Sequence, residues 1–284
     1  MIHPSASIDP QAVIGRDVAV GPFACVGPGV VLGDGCRLHN HATVTGRTVC
    51  GRDNEFYPGC VIGCPPQDLK YKGGPTRLEI GDDNVFRECV TVHTGTEVGG
   101  GLTRIGSHNR FLVGVHVAHD VVIGDDCIVS NYTQIAGHAQ IEDRVTIGGM
   151  VGIHHFATVG TLTYIAAMSR VGADTPPFMV IEGFPAEVRG FNKKGMRRWG
   201  YSEQQIRAVQ EAWKILFSNR AREYGESLLD RLDVLERRAD LNGEVRYLCQ
   251  SLRRSLVNGV FGRYLESHRR DTDEDRKGFY NAEG

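Results

Sequence analysis

The sequence predicts an all-β solenoid of short parallel strands, followed by an α-helical region. Three observations favour this fold class: an apolar residue recurs every six positions, glycine often follows it, and beyond about residue 190 the apolar period becomes helical. The six-residue series comprises Ile2, Ile8, Ile14, Val20, Val26, Leu32, Leu38, Val44, Cys50, Phe56 and Ile62, then Ile80, Phe86 and Val92, then Ile105, Phe111, Val117, Ile123, Val129, Ile135, Ile141, Ile147, Ile153, Val159, Ile165 and Val171.

A six-residue step fits one short strand and one tight turn, which is one face of a triangular prism. Three faces make a coil of 18 residues, and successive coils stack at the strand spacing of roughly 4.8 Å. The repeated residues then fill the interior of the prism. Cys36, Cys60 and Cys127 occupy the small fourth position of the repeat, which predicts core packing rather than reactivity.

Two insertions interrupt the repeat, at residues 64–79 and 95–104. A solenoid extrudes an insertion as a loop, and long loops on a rigid scaffold often form binding sites. We therefore predict a first domain over residues 1–190, with both loops as candidate site elements. A passive surface loop is the alternative for each of them.

The last third of the chain has a helical pattern. Ser202 and Gln205 form a capping-box signature, and Ile206, Val209 and Trp213 follow at helical spacing. Further amphipathic stretches run from about 223 to 238 and from 244 to 268. These stretches predict an α-helical C-terminal domain over residues 191–270, and the polar residues 271–284 predict a flexible tail.

Composition narrows the class of protein. The formal net charge of −2 argues against nucleic-acid binding, although residues 191–284 are the basic part, with 19 basic and 15 acidic side chains. No run of 18 apolar residues predicts a membrane span. The N-terminus lacks a signal-peptide pattern and the eight cysteines lack CxxC spacing, which predicts free thiols and a cytoplasmic location.

The 18-residue coil also indicates where chemistry is located. Val117 points inward, so His119 and Asp120 lie at an outer corner, and one coil later Gly137 and His138 occupy the same two columns. An imidazole with an adjacent carboxylate is a candidate general base, and an exposed glycine N–H beside it is a candidate oxyanion donor. Two alternatives remain: solvated corner residues, or a zinc site, whose candidate ligands are His116, His119, His138, His154 and His155.

The repeat resembles the hexapeptide-repeat family, whose fold is an all-β left-handed parallel β-helix; most members are acyltransferases and homotrimers with sites between prisms. Within that family, "VHVAHD", "IAGH", "GGM..IHHF", "QDLKY", "GGPTR", "VTVH.GT..GGGLT" and "FN..G..R" together resemble the cytoplasmic UDP-N-acetylglucosamine acyltransferases of lipid A biosynthesis. The resemblance extends to about residue 217 and includes both insertions.

This resemblance implies transfer of a 3-hydroxyacyl chain from acyl carrier protein to the 3-position of UDP-N-acetylglucosamine, without a cofactor or metal. It implies His119 as general base beside Asp120, and Gly137 as oxyanion donor. It implies substrate contacts from Gln67, Asp68, Lys70, His93, His116, His138, His154, His155, Asn192 and Arg198, and an acyl-length position at Ala167. His155, Lys194 and Phe184-Pro185 depart from the residues that the family usually has there.

Three other functions remain open on the sequence alone. A related acyltransferase would act on a 3-amino or other nucleotide sugar. Gamma-class carbonic anhydrases use a similar prism with zinc, although their paired histidines usually stand five apart, whereas His116 and His119 stand three apart. A non-catalytic prism used as an assembly scaffold is the third, because one fold hosts many functions.

Overall fold

The computed structural model describes residues 1–239 and 241–270, with the side chain of Arg222 left aside. The predicted flexible tail at 271–284 lies outside the described residues. Within them the chain winds into a left-handed parallel β-helix whose three sheets form the faces of a prism. The predicted fold class is confirmed.

The parallel strands of each face come from successive coils, and the antiparallel β27 ends the third face. The first face comprises β1 (Ser7–Ile8), β4 (Cys25–Val26), β7 (Thr43–Val44), β10 (Val61–Cys64), β13 (Thr91–His93), β16 (His116–Val117), β19 (Gln134–Ile135), β22 (Gly152–Ile153) and β25 (Arg170–Val171). The second face comprises β2 (Val13–Ile14), β5 (Val31–Leu32), β8 (Arg47–Cys50), β11 (Arg77–Ile80), β14 (Leu102–Ile105), β17 (Val122–Ile123), β20 (Gln140–Ile141) and β23 (Thr158–Val159). The third face comprises β3 (Ala19–Val20), β6 (Arg37–Leu38), β9 (Glu55–Phe56), β12 (Val85–Phe86), β15 (Arg110–Phe111), β18 (Ile128–Val129), β21 (Thr146–Ile147), β24 (Tyr164–Ile165), β26 (Met179–Gly183) and β27 (Ala186–Phe191).

The prism interior is apolar because the repeated residue is the second residue of each two-residue strand, and its side chain points inward. Every member of the six-residue series from Val20 onward is buried, whereas Ile2, in the first coil, is 51% exposed. Phe56, Phe86 and Phe111 stack in the interior with ring centroids 5.2 and 5.0 Å apart. Cys36, Cys60 and Cys127 are fully buried, as their place in the repeat predicts.

A ladder of buried asparagines runs beside the phenylalanine stack. Asn84 donates from Nδ2 to Oδ1 of Asn54 at 3.0 Å, and its own Oδ1 accepts from the backbone N of Asn109 at 3.0 Å. These asparagines are 30 and 25 residues apart in the sequence, yet they occupy the same position in successive coils. The ladder therefore joins coils that the two insertions separate.

The insertions are shorter than the sequence suggested. Strands β8, β11 and β14 each have four residues, and Arg77 pairs with both Arg47 and Leu102. The C-terminal ends of both predicted insertions, residues 77–79 and 102–104, thus belong to the second face, because their backbones pair with its other strands. Two loops remain: the first loop, residues 65–76, and the second loop, residues 94–101.

The prism ends in the antiparallel hairpin β26–β27, after which the chain becomes helical. The helices are α1 (Lys193–Arg198), α2 (Glu203–Phe217), α3 (Leu228–Glu236) and α4 (Gly243–Asn258), with 3-10 turns at Ala221–Tyr224 and Leu265–His268. Ser202 and Gln205 form the predicted capping box at the start of α2.

Two amphipathic stretches were predicted too long. Helix α3 begins at Leu228, where Ser227 and Asp230 form a capping box, and not near residue 223. Helix α4 ends at Asn258, because Gly259 is extended, and residues 259–269 then turn back toward the prism. None of the helices within residues 1–239 and 241–270 has the length and apolar character needed to cross a membrane.

Candidate active site

The largest group of predicted site residues lines one cavity of about 750 Å³ over the first face. Ten of them meet there: Gln67, Asp68, Lys70, His93, His116, His119, Gly137, His138, His154 and His155. The cavity lies between the corner that joins the first and second faces and the corner that joins the third and first faces. Asp120 lies directly behind His119 and is 7% exposed.

His119 projects from the corner after β16 and its two nitrogens face different carboxylates. Nδ1 lies 2.8 Å from Oδ2 of Asp120, and Nε2 lies 3.7 Å from Oδ2 of Asp68. A carboxylate only accepts hydrogen bonds, so its contact with Asp120 places the ring proton on Nδ1. The lone pair of Nε2 then faces the cavity, where it can accept a proton from a substrate.

The second loop holds Asp120 in place. The Asp120 carboxylate accepts hydrogen bonds from the backbone N of Thr96 at 3.0 Å and from the Thr96 hydroxyl at 2.6 Å. Its own backbone N donates to the Thr103 hydroxyl at 2.8 Å. A Cβ at Gly99 would overlap the carboxylate, so only glycine allows this loop to come so close. The loop therefore fixes the orientation of Asp120 and, through it, of His119.

Gly137 lies against the reactive edge of His119. A Cβ at this position would lie 2.6 Å from Nε2 of His119 and closer still to Cε1. Among the residues that the structure describes, the backbone N–H of Gly137 has no hydrogen-bond acceptor. An unused N–H beside a general base is the arrangement that stabilises the oxyanion of an acyl-transfer intermediate. The 18-residue coil predicts that Gly137 lies in the same column as His119, and the structure places it there.

The first loop supplies Asp68 and Lys70, and the second loop supports it. Nζ of Lys70 lies 3.5 Å from Oδ2 of Asp68, and the Lys70 backbone N donates to Oδ1 at 3.0 Å. Glu97 of the second loop accepts a 2.6 Å hydrogen bond from the backbone N of Gly74 in the first. The two loops therefore form one structure around His119.

Several histidines of the cavity are held neutral. Burial lowers the pKa of His93 and of His138 to about 4, with the neighbouring His116 contributing at His93, and His119 at both. Burial, with the nearby His119, also lowers the pKa of His116. Burial, with the nearby His154, lowers the pKa of His155 to about 4. These rings can donate or accept a hydrogen bond near neutral pH without adding positive charge around His119.

Three predicted site residues lie outside this cavity of the single chain. Ala167 is exposed at the corner between the third and first faces. Asn192 caps α1 by accepting from the backbone N of Gly195 at 2.9 Å, and donates to the Leu162 carbonyl at 2.9 Å. Arg198 is exposed on α1. The structure thus separates them from His119 within one chain.

The sequence reasoning missed some residues that build the cavity. They are Gln134, Met150, Phe156, Met168, Arg170 and Arg269 among the lining residues, and Thr96 and Thr103 behind Asp120. Gln134 and Arg170 stand on the same first-face column as His116, one and three coils later, so the 18-residue step could have found them. Arg269 follows the last helix and carries no such signal.

Among the described residues, His119, Asp120 and His138 could together offer donor atoms to a metal, since those atoms lie within 4.8 Å of one another. However, the Asp120 carboxylate already accepts hydrogen bonds from Thr96 and faces Nδ1 of His119. These bonds use the lone pairs that a metal would require. The donor set therefore fits a base and its orienting acid better than a metal site.

The left-handed prism of short repeated strands, with an imidazole–carboxylate pair at one corner, belongs to the class of hexapeptide-repeat acyltransferases. The hexapeptide model of bacterial transferases matches residues 1–46 and 102–137, and the model described as "Udp N-acetylglucosamine O-acyltransferase; Domain 2" matches residues 174–260. The chain is a member of the UDP-N-acetylglucosamine O-acyltransferase family, as its sequence motifs predicted.

Solved structures of this family resemble the chain over most of its length. LpxA from Acinetobacter baumannii is 39% identical, with a TM-score of 0.82 over 88% of this chain and 95% of that one. The UDP-N-acetylglucosamine O-acyltransferase from Moraxella catarrhalis is 38% identical, with the same TM-score and coverage. The UDP-N-acetylglucosamine acyltransferase from Bacteroides fragilis is 37% identical, with a TM-score of 0.84 over 89% of this chain and 97% of that one.

Proposed function

We propose that this acyltransferase moves a 3-hydroxyacyl chain from acyl carrier protein to the 3-hydroxyl of UDP-N-acetylglucosamine, the first step of lipid A biosynthesis. The observation that carries the proposal is the arrangement at one corner of the prism. Nε2 of His119 faces the cavity, Asp120 holds Nδ1 at 2.8 Å, and the N–H of Gly137 is unused beside them. We also propose a cytoplasmic location, which the lack of a signal-peptide pattern at the N-terminus supports.

In the proposed reaction, Nε2 of His119 takes the proton of the sugar hydroxyl as its oxygen attacks the thioester carbonyl. The C=O becomes a tetrahedral oxyanion that accepts a hydrogen bond from Gly137, a contribution typically worth about 3 kcal/mol. The C–S bond then breaks, and the carrier's thiolate takes the proton from His119. The ester and free carrier thiol leave, and the base is neutral again.

Asp68 and Lys70 are placed to hold the sugar near the base. Asp68 lies 3.7 Å from Nε2 of His119, so one sugar hydroxyl can donate to Nε2 while a second donor of the sugar bonds to the carboxylate. The neutral rings of His93 and His116 lie nearby, with centroids 4.8 Å apart, and offer further hydrogen bonds. Gln67, His138, His154 and His155 complete the proposed substrate contacts within this chain.

The proposed active unit is a homotrimer with a site between adjacent prisms. The supporting observation is that the cavity is a shallow surface on one face, while Ala167, Asn192 and Arg198 lie away from it. A neighbouring prism can bring these residues opposite His119. Ala167 would then meet the acyl chain, while Asn192 and Arg198 would lie near the nucleotide, where the guanidinium suits phosphate.

The proposal is tested by incubating the enzyme with 3-hydroxyacyl carrier proteins of several chain lengths and UDP-N-acetylglucosamine, with the product measured by mass spectrometry. We expect one acyl chain on the sugar, and a loss of at least about 100-fold in His119→Ala, typical for removal of a general base. His108→Ala is the matched control, because this exposed histidine pairs with Asp83 at 3.1 Å, far from the cavity.

The nucleotide sugar with an amine in place of the 3-hydroxyl separates this function from the runner-up, an acyltransferase that makes an amide. Preference for the amine would replace the proposed acceptor but retain the base. Full turnover by His119→Ala would instead contradict the assignment of the base.

A further inference from the structure

The chain continues beyond the part that the family model matches, and the continuation returns to the active site. That match ends at residue 260. The return segment, residues 259–269, leaves the end of α4, crosses the last coil, and places Arg269 in the lining of the cavity.

The return segment is anchored to the last coil by a half-buried carboxylate. Asp174 accepts from the backbone N of Tyr264 at 2.9 Å and from the backbone N of Thr158 at 2.7 Å, and its own N donates to the Gly262 carbonyl at 2.8 Å. Arg263, only 8% exposed, donates to the Gly172 carbonyl at 2.8 Å. These specific contacts make the return segment an integral part of the fold.

Glu266 connects the anchor to the cavity. Its carboxylate meets Nη2 of Arg263 at 3.4 Å and Nη1 of Arg269 at 3.0 Å, and lies 3.8 Å from Nε2 of His155. The Glu266 side chain is 10% exposed and that of Arg269 is 20% exposed. The guanidinium of Arg269 is thus held at the edge of the cavity by a largely buried partner.

From Arg269, a continuous series of ring contacts leads to the base. Its Cζ lies 5.3 Å from the centroid of Phe156. Phe156 stacks on His138, with centroids 4.4 Å apart and an interplanar angle of 2°. His138 in turn meets the His119 ring edge to face at 5.0 Å and 86°. Each contact constrains the orientation of the next ring.

We propose that Arg269 is a positioning residue of the acyl-transfer reaction, acting through Phe156 and His138 on the orientation of His119. The inference rests on the proposed role of His119 as the base. A guanidinium over Phe156 keeps that ring parallel to His138, and His138 then limits rotation of His119 away from the alignment that Asp120 sets. Loss of the Arg269 cation removes this constraint on Phe156, and with it the constraint on the two histidine rings.

The test compares Arg269→Gln with Arg269→Lys and with Arg270→Gln, which removes the adjacent exposed arginine as a matched control. Small errors in the position of a catalytic group cost large factors in rate, so we expect kcat to fall about 5- to 20-fold in Arg269→Gln while KM for both substrates stays within about twofold. Arg269→Lys restores a cation over Phe156 and should recover part of the rate, and Arg270→Gln should match the unchanged enzyme.

Phe156→Leu tests the route. It preserves an apolar side chain but removes the ring, so it should lower kcat similarly, and adding Arg269→Gln to it should cause little further loss. A raised KM with unchanged kcat in Arg269→Gln would make Arg269 a substrate contact and overturn the proposal. Independent, multiplicative losses in the double variant, or an unchanged kcat, would also overturn it.

The histidine ring-nitrogen NMR spectrum provides a readout that needs no turnover. The resonances of His138 and His119 should shift in Arg269→Gln and not in Arg270→Gln. If the unchanged enzyme lacks transfer activity, the proposed function fails, while these shifts still report whether the return segment orients the rings.

Discussion

At the scale of single residues, the proposed base His119 lies between two carboxylates for which we propose roles at different stages. In the proposed mechanism, Asp120 fixes the proton on Nδ1 before reaction, and Asp68, 3.7 Å from Nε2, can accept the hydrogen bond that Nε2 donates once it has taken a proton. The imidazolium that forms is therefore flanked by negative charge on both sides. Asp120, beside Nδ1, and Asp68, near Nε2, therefore have separate proposed roles.

Replacing Asp120 tests the first role. Asp120→Asn presents an amide N–H to Nδ1 and favours the tautomer with its proton on Nε2, which cannot accept the substrate proton. We expect kcat to fall about 1000-fold or more, as in the wrong-tautomer variant of a Ser-His-Asp triad. Steady-state kinetics measures it, with Asp83→Asn, from the exposed pair with His108, as the control. A loss below tenfold would argue against tautomer control.

Gly137 provides a steric test of the same corner. A methyl group there would overlap the edge of the His119 ring, so Gly137→Ala must displace either the ring or the backbone N–H. We expect kcat to drop about 100-fold or more with little change in thermal stability. Gly190→Ala is the control, because nothing lies within 4 Å of its added methyl group. Equal activity in the two variants would remove Gly137 from the mechanism.

At the scale of elements, the two loops form one support around the base. The second loop holds Asp120 through Thr96, and it holds the first loop through Glu97 and the 3.0 Å contact between the Thr76 and Thr94 hydroxyls. The first loop carries Asp68 and Lys70, the proposed sugar contacts. Weakening the contacts between the two loops should therefore affect substrate binding more than it affects the orientation of His119.

Glu97→Ala separates these effects. It removes the acceptor for the backbone N of Gly74 at 2.6 Å and of Lys72 at 3.3 Å, which frees the first loop. We expect KM for the nucleotide sugar to rise about fivefold while kcat changes less, since Thr96 still holds Asp120. Glu187→Ala is the control, because the Glu187 side chain is exposed on β27 and pairs with Arg189. A loss confined to kcat would mean that the link acts on the base instead.

The sequence predicted the prism and the central pair of the site for one physical reason: a fixed period. The 18-residue coil places His119 and Gly137 in one column, and the structure has them in contact. Loop and return-segment contacts, such as Thr96 with Asp120 or Arg269 with Phe156, follow no period. They depend on how irregular backbone folds over the prism, which local sequence does not encode. The overlong prediction for α4 has the same cause.

At the scale of the whole molecule, buried neutral histidines make stability depend on pH. The pKa of His93 and of His138 is about 4 in the folded protein, mainly because of burial, against 6.5 for an unperturbed histidine. The unfolded chain therefore binds more protons between these values, and stability falls as the pH drops below about 6.5. Above that pH the contribution is fully present.

A melting series tests this dependence. We expect Tm to decrease steadily from pH 7 to pH 4.5, measured by circular dichroism in buffers of equal ionic strength. His93→Gln removes one of the contributing groups, so its curve should be flatter over the same range. An identical slope in the variant would show that other groups cause the loss.

Subunit mixing tests the assembly. If each site takes His119 from one subunit and Arg198 from its neighbour, co-expressed His119→Ala and Arg198→Ala chains should regain activity that neither has alone. Random assembly of a closed ring leaves about a quarter of the interfaces intact, which sets the expected recovery. Mass photometry of the same sample gives the number of subunits. No recovery in mixed trimers would place both residues in a site within one chain.

The asparagine ladder has a consequence for how such a site can change. Asn54, Asn84 and Asn109 bond to one another across sequence gaps of 30 and 25 residues. The ladder joins the coils on either side of each loop in the same register, although the two intervals differ in length. Loop length is thereby uncoupled from the alignment of the coils, so new residues can enter or leave around the base while the columns that carry His119 and Gly137 keep their spacing. The prism therefore keeps its coils aligned while the loops, and with them the substrate preference, can change.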